Sequence, residues 1–288
     1  MPDFGIFRGF NDKLFGDKLY AGQLPTQLGI IGSQEVNDFD PDALAFFARV
    51  SAAGGTLSAT EQLAIETLVK KMKNDGIWTK MKAIYPFVGA SAAACSQNLK
   101  NSSFTGIFNG GWTFASTGVK GNNTNTYMQT GVIPSNHLQL NSVHISNYFK
   151  NFTAELKFQI GASQANGELM ASYNYSGAGN LIRLNDDEWT FLFGFATNAN
   201  GLRMATRTAS NLSKTYENGV ETASSATISN ALATIEIYVG ARNSNGSVNS
   251  PSNLEQQFSS IGDGLDGTDS LNLYNAVQAF QTTLSRQG

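Results

Sequence analysis

Cysteine is almost missing from this chain. Cys95 is the only one in 288 residues, so no intrachain disulfide can form. A chain of this length buries enough surface to fold without one, and reducing conditions suit it. Charge is scarce too, with 14% Asp, Glu, Lys and Arg and a net charge of −3. Nucleic-acid binding draws on basic stripes, so no nucleic-acid partner is expected, and no charge-driven membrane contact either. No run of 18 apolar residues occurs, so no membrane span is expected. Met1-Pro2-Asp3-Phe4-Gly5 lacks a basic stretch followed by an apolar run, and a secretory leader is not expected. Histidine occurs only at His137 and His144, at a spacing that fits no zinc pattern.

What the chain does have falls into three regions. Residues 1–39 show neither helical nor strand periodicity, yet they are rich in large apolar side chains: Phe4, Phe7, Phe10, Leu14, Phe15, Leu24 and Leu28. Disordered tails are poor in aromatics. The segment reads as an extended arm ordered by docking on a partner, the alternative being a leader that lies across its own domain.

Residues 40–82 read as helical. Asp40-Pro41 supplies an N-cap followed by proline at the first helical position, with Leu44, Phe47 and Ala48 on one face. Ser58-Ala59-Thr60-Glu61 is a capping box, followed by a stripe of Leu63, Ile65, Leu68, Val69 and Met72. Lys70, Lys71 and Lys73 suit the negative end of that helix dipole.

From residue 83 onward, short runs of alternating polarity are cut by Gly, Asn, Ser and Thr, the pattern of an all-β sandwich. Strands are expected near 85–88, 104–108, 126–130, 142–149, 152–160, 168–173, 181–185, 202–207, 212–217, 234–240 and 255–261. Asn218-Gly219 is a two-residue hairpin signal. Thr268-Asp269 opens a last helix with Leu271, Tyr274, Val277 and Leu284.

The hairpin Lys214-Thr215-Tyr216-Glu217-Asn218-Gly219-Val220-Glu221 resembles the Tyr-x-Asn-Gly hairpin of laminin-G-like, concanavalin A-like jelly rolls. The run from Phe108-Asn109-Gly110-Gly111-Trp112 to Tyr127 is similar to modules of virion proteins in bacteriophages of Bacteroidetes. The resemblance implies a mainly β fold: an extended arm (1–39), a helical assembly region (40–82) and a concanavalin A-like jelly-roll sandwich (83–288) ending in a helix. It implies a head fibre, spike, decoration or tail-associated protein made in the bacterial cytoplasm. The arm would anchor it to other virion proteins, and fibre analogy implies a homotrimer. Calcium is also implied by the resemblance, since related jelly rolls often bind it. Asp263-Gly264-Leu265-Asp266-Gly267 could offer oxygens, although turn chemistry explains that sequence equally well.

Glycoside hydrolysis needs two carboxylates flanking the scissile bond. No Glu-x-Asp-x-Glu or Glu-x-Asp-x-x-Glu run exists, and Asp186-Asp187-Glu188 reads as a turn, so the chain is expected not to be an enzyme. Cys95 reads as a small buried residue rather than a nucleophile. The alternative to passive display is host-glycan binding, with aromatic rings stacking on sugar faces. Candidates are Tyr175 with Asn174, in a stretch that reads as an exposed loop, and Tyr127; Trp112, Tyr173 and Trp189 are further aromatics of that kind.

Overall fold

The computed structural model describes residues 39–150, 157–164, 167–175, 179–186, 191–192 and 200–287, the side chains of 170, 172–175, 179–181 and 191–192 excepted. The seven apolar arm residues from Phe4 to Leu28 lie outside that set. Asp40–Gly288 forms one unit by itself.

Two helices come first, α1 (Pro41–Ala52) and α2 (Ala59–Asn74), and two single-turn helices, α3 (Ala92–Cys95) and α4 (Pro134–His137), lie among the strands that follow. Asp40 caps α1 by accepting from the Asp42 amide. The capping box on α2 is formed in both directions, Ser58 Oγ accepting from the Glu61 amide and Glu61 from the Ser58 amide. The buried face of α1 is Ala43, Phe46 and Val50, one step round from the expected Leu44, Phe47 and Ala48. Leu44 is left 45% exposed. Twelve residues hold apolar side chains on both faces, so periodicity could not choose between them; packing on α2 and the sheet did. The stripe on α2 is buried as expected at Ile65, Leu68, Val69 and Met72, while Leu63 points outward.

The strands build two sheets, antiparallel apart from one short ladder in the second. The first runs β13 (Val220–Ser225), β12 (Leu212–Glu217), β11 (Gly201–Ala209), β6 (Val143–Lys150), β17 (Glu255–Gly262), β4 (Gly118–Lys120), β3 (Thr113–Ala115). Strand β1 (Met81–Tyr85) pairs with the far half of β17. The second runs β10 (Phe191–Leu192), β9 (Gly179–Leu184), β8 (Gly167–Tyr175), β7 (Ile160–Gln164), β14 (Tyr238–Val239), β5 (Tyr127–Gln129), β2 (Ile107–Asn109). The small hairpin β15 (Arg242–Ser244) and β16 (Ser247–Asn249) joins β7 through a short parallel ladder. Strands β4, β15 and β16 are too short for a two-residue period to show in sequence.

Two of the hairpin tips obey local chemistry. Asn218-Gly219 (φ 51° and 79°) and Asn245-Gly246 (φ 49° and 89°) hold two successive positive φ angles, as a two-residue turn between twisted strands requires.

The first sheet is covered on both sides. One face joins Tyr85, Val143, Ile145, Phe149, Ala205 and Ile261 to the inner face of the second sheet. The other carries Ile84, Tyr148, Met204, Tyr216 and Phe258 against α1, α2 and the C-terminal helix α5 (Gly267–Thr283). Seven successive residues of β6, Val143 to Phe149, are therefore buried. Helix α5 is capped by Asp266 with Asp269 in a reciprocal box, two residues before the cap expected at Thr268. Arg286 closes the chain, donating to the carbonyl oxygens of Phe87, Pro86 and Gln257. Burial lowers its pKa to about 10, still cationic near neutrality.

Candidate functional site

The second sheet has one face committed to the sandwich; the other is accessible at β2 and β5 and buried at Tyr238, Ser163 and Arg183. Met128, Ile160, Ala162, Leu169, Ile182 and Val239 point into the sandwich. The two-residue period of a strand then turns their neighbours outward. Register puts Asn109 of β2 opposite Tyr127 of β5, Ile107 opposite Gln129, and Gln129 opposite Tyr238 of β14. One outward patch thus gathers Ile107, Asn109, Tyr127, Gln129 and Tyr238 from three strands that are far apart in sequence.

Aromatic stacking sets the geometry. The rings of Tyr127 and Tyr238 are 4.6 Å apart at 31°. Tyr238 is only 5% exposed, whereas Tyr127 is half-buried. Tyr238 is therefore a backing plate that fixes Tyr127, and Tyr127 presents the accessible ring. Burial and the nearby Glu236 carboxylate raise the Tyr238 pKa, so its hydroxyl stays protonated.

A chain of amides runs beside the rings. Asn109 Nδ2 donates to Gln129 Oε1 at 3.1 Å, and Gln129 Nε2 donates to Glu236 Oε1 at 2.7 Å. The second Glu236 oxygen accepts from the Gly131 amide at 2.8 Å. Next to Asn109 lies the exposed turn at Asn122–Asn125, in which Asn122 Oδ1 accepts from the amides of Thr124 and Asn125. Its approach to Gly110 is close enough that a Cβ there would meet the Asn125 carbonyl oxygen at 2.6 Å. The surface therefore offers a flat ring flanked by carboxamides, a combination that can stack on a sugar face and exchange hydrogen bonds with hydroxyls.

The structure separates the other sequence candidates. Tyr127 and Tyr175 lie on β5 and β8, with β14 and β7 between them, on the order of 14 Å apart laterally at the usual strand spacing. Asn174 and Tyr175 end strand β8, with Tyr175 paired to Gly179, and residues 176–178 of the expected loop lie outside the described set. Their side chains lie outside the described set, as does Trp189. Trp112 is turned inward. Its Nε1 donates to the Asn109 carbonyl oxygen at 2.9 Å, its ring sits over Gly240, and Phe108 meets it edge-on at 5.2 Å. Sequence reading missed Tyr238, Gln129 and Glu236. An alternating run at 235–239 marks a strand there, but only register brings Tyr238 to Tyr127.

The remaining chemistry-bearing side chains have structural tasks. Asp186 Oδ2 accepts from Arg207 at 2.8 Å, both buried, and burial raises the Asp186 pKa. Residues 187–190 lie outside the described set. Asp263 Oδ2 pairs with Lys82 at 3.1 Å, and Asp266 Oδ1 caps α5 by accepting from the Asp269 amide at 2.9 Å. His144 accepts from or donates to Ser260 Oγ at 3.0 Å and lies 2.6 Å from the Asp263 carbonyl oxygen. This Ser–His pair is fully buried beneath α5, out of a substrate's reach. Cys95 is buried as expected, and burial pushes its thiol up to about 12. The lysines of α2 meet Glu66, Asp75, Asp40 and Asp42 at 2.6–2.9 Å. No helix among the described residues is long and apolar enough to cross a membrane.

No family model matches the chain, and no curated protein matches it. Solved structures do. Domain 4 of AbnA, a GH43 extracellular arabinanase from Geobacillus stearothermophilus, in complex with arabinotriose, is similar at a TM-score of 0.51 and 15% identity, over 67% of this chain and 98% of that domain. A mutant Trypanosoma rangeli sialidase displaying trans-sialidase activity is similar at a TM-score of 0.53 and 10% identity, over 75% of this chain. The Trypanosoma rangeli sialidase bound to 2,3-difluorosialic acid is similar at 0.50 and 9% identity, over 74% of this chain. This chain spans 39% and 38% of those two sialidase structures. These likenesses correct the expectation that the chain is not an enzyme. The same fold occurs in structures of an arabinanase and a sialidase, so a missing carboxylate motif does not argue against glycan cleavage. At such identities the likeness shows the fold, and the fold is a concanavalin-like β-sandwich.

Proposed function

We propose that this chain is a glycan-binding β-sandwich module whose binding surface is the open face of the second sheet around Tyr127. The carrying observation is the pairing of a partly buried ring with a buried one, Tyr127 against Tyr238 at 4.6 Å, beside the Asn109–Gln129–Glu236 chain. A ring held rigid by stacking loses little entropy when a sugar packs on it. The fold shared with an arabinanase domain solved with arabinotriose supports the same reading. A single contact of this kind gives millimolar affinity, about −4 kcal/mol, and display of several copies multiplies it through avidity.

The test is a glycan array probed with the full chain, wild type and Tyr127→Ala, alongside an assay for released reducing ends. Binding that disappears in Tyr127→Ala supports the proposal. Absence of binding at high valency defeats it, and release of reducing ends makes the chain a glycan-cleaving enzyme.

A role in a phage virion is a further proposal, supported by the sequence resemblance. In it, residues 1–39 tether a trimer of the sandwich to a capsid or tail protein, and the Tyr127 face reads host glycan from the particle surface. Deletion of residues 1–35 then abolishes incorporation into particles while the sandwich stays folded; normal incorporation would reject the tether.

A further inference from the structure

We infer that the Tyr127 face is built for neutral glycans and selects against anionic ones, such as sialylated or uronic-acid chains. The inference rests on the glycan-binding reading above and concerns which sugars that site accepts. It starts from the outward positions of the ladders around Tyr127: Ile107 and Asn109 on β2, Gln129 on β5 and Tyr238 on β14, beyond which Gly161 and Ser163 on β7 are buried. None of these is Lys or Arg. The groups they offer are carboxamides, hydroxyls, aromatic rings and one exposed aliphatic side chain, Ile107 at 60%. Carboxamides donate and accept equally well, which matches sugar hydroxyls, and they carry no charge to meet a carboxylate.

The fixed charge at the rim has the wrong sign for an acidic sugar. Glu236 is held there by Gln129 Nε2 and the Gly131 amide, at 2.7 and 2.8 Å. A sugar carboxylate brought beside it would lose hydration and face a like charge, and a carboxylate is taken out of water only where a cation or several donors meet it. Among the described residues, the two cations on strands of this sheet, Arg183 and Arg242, are directed elsewhere. Arg183, on β9, lies three strands from β14 and forms an ion pair with Glu168. Arg242, on β15, sits over the Phe158 ring at 4.6 Å and donates to Asn249 Oδ1 at 2.9 Å. Lys157 precedes β7 and stands on none of the ladder positions that flank Tyr127.

The experiment uses the full chain on an array of matched oligosaccharide pairs, each with and without a terminal sialic acid, together with polygalacturonate and its neutral methyl ester. Tyr127→Ala and Tyr127→Phe are run in parallel, with thermal melting to confirm folding. The expected result is that neutral members bind at least about tenfold more tightly than their acidic partners, a difference of about 1.4 kcal/mol. Tyr127→Phe keeps that pattern and Tyr127→Ala loses it. Equal or tighter binding of the acidic members, removed by Tyr127→Ala, would overturn the neutral preference while leaving the site in place. A folded Tyr127→Ala protein that binds as the wild type does, or a wild type that binds none of the probes, would overturn both.

Discussion

The two sheets share one interior, yet they stand in opposite relation to solvent. The first is sandwiched between the second sheet and three helices, so Val143–Phe149 of β6, Gly201–Arg207 of β11 and Gln256–Gly262 of β17 are all buried, polar ones included. Asn147, for example, is fully buried and donates to Gln256 Oε1 at 2.9 Å. The second is backed by the first on one side, and its outer side is accessible at Ile107, Tyr127 and Gln129. A sheet buried on both faces can change only at a cost in stability. A sheet with one open face can change its surface while the core holds. Scaffold and site are thereby divided between the layers.

Four measurements can break or sharpen that contrast. The largest effect should come from Phe258→Ala, which empties a fully buried position between the first sheet and the helices. Unfolding free energy should fall by about 3–5 kcal/mol, read by urea denaturation. A loss of about 1 kcal/mol or less would mean that the helical layer is not integral to the core.

Next comes pH. His144 is fully buried in the first sheet, and burial lowers its pKa from 6.5 to about 4. The unfolded chain therefore takes up a proton near pH 6.5 that the folded chain refuses until about pH 4. This contribution is fully present above the unfolded value. It is lost as pH falls through that window, by on the order of 3 kcal/mol. Denaturation midpoints at pH 7.5 and 4.5 should differ less in His144→Gln than in the wild type; identical differences would show that His144 carries none of the acid sensitivity.

The second sheet should behave in the opposite way. Tyr127→Ala should shift stability by no more than about 1 kcal/mol, since the ring is only partly buried, while glycan binding drops by tenfold or more. A large stability loss without a binding loss would make Tyr127 a packing residue and erase the contrast. The smallest effect is local. Ser58→Ala removes an exposed cap on α2 and should cost about 1 kcal/mol in thermal or urea unfolding, with glycan binding unchanged.

Legibility in the sequence followed the range of the interaction. The capping box at Ser58–Glu61, the Asp40-Pro41 start and the Asn218-Gly219 turn are each closed by neighbours within four residues, and each formed as the sequence implied. The long strands β6, β11, β12 and β17 were visible because eight or so residues suffice to show a pattern. Strand β1 begins four residues before its expected start, since its partner is Gly262 and not anything nearby. At the candidate site, Tyr127 could be named from sequence but Tyr238 could not be joined to it. The two are 111 residues apart, and no local rule carries a register over that distance.

The amino-acid order alone determined the β-rich class, the helix starts, the hairpin tips and the supply of aromatic and amide side chains, because these depend on backbone preferences and nearest neighbours. Only the tertiary structure decided which aromatics face outward, which helical face is buried, and that Tyr127 rests on Tyr238 while Trp112 turns inward. Those outcomes depend on how strands from distant parts of the chain align, and alignment is settled by the packing of the whole core.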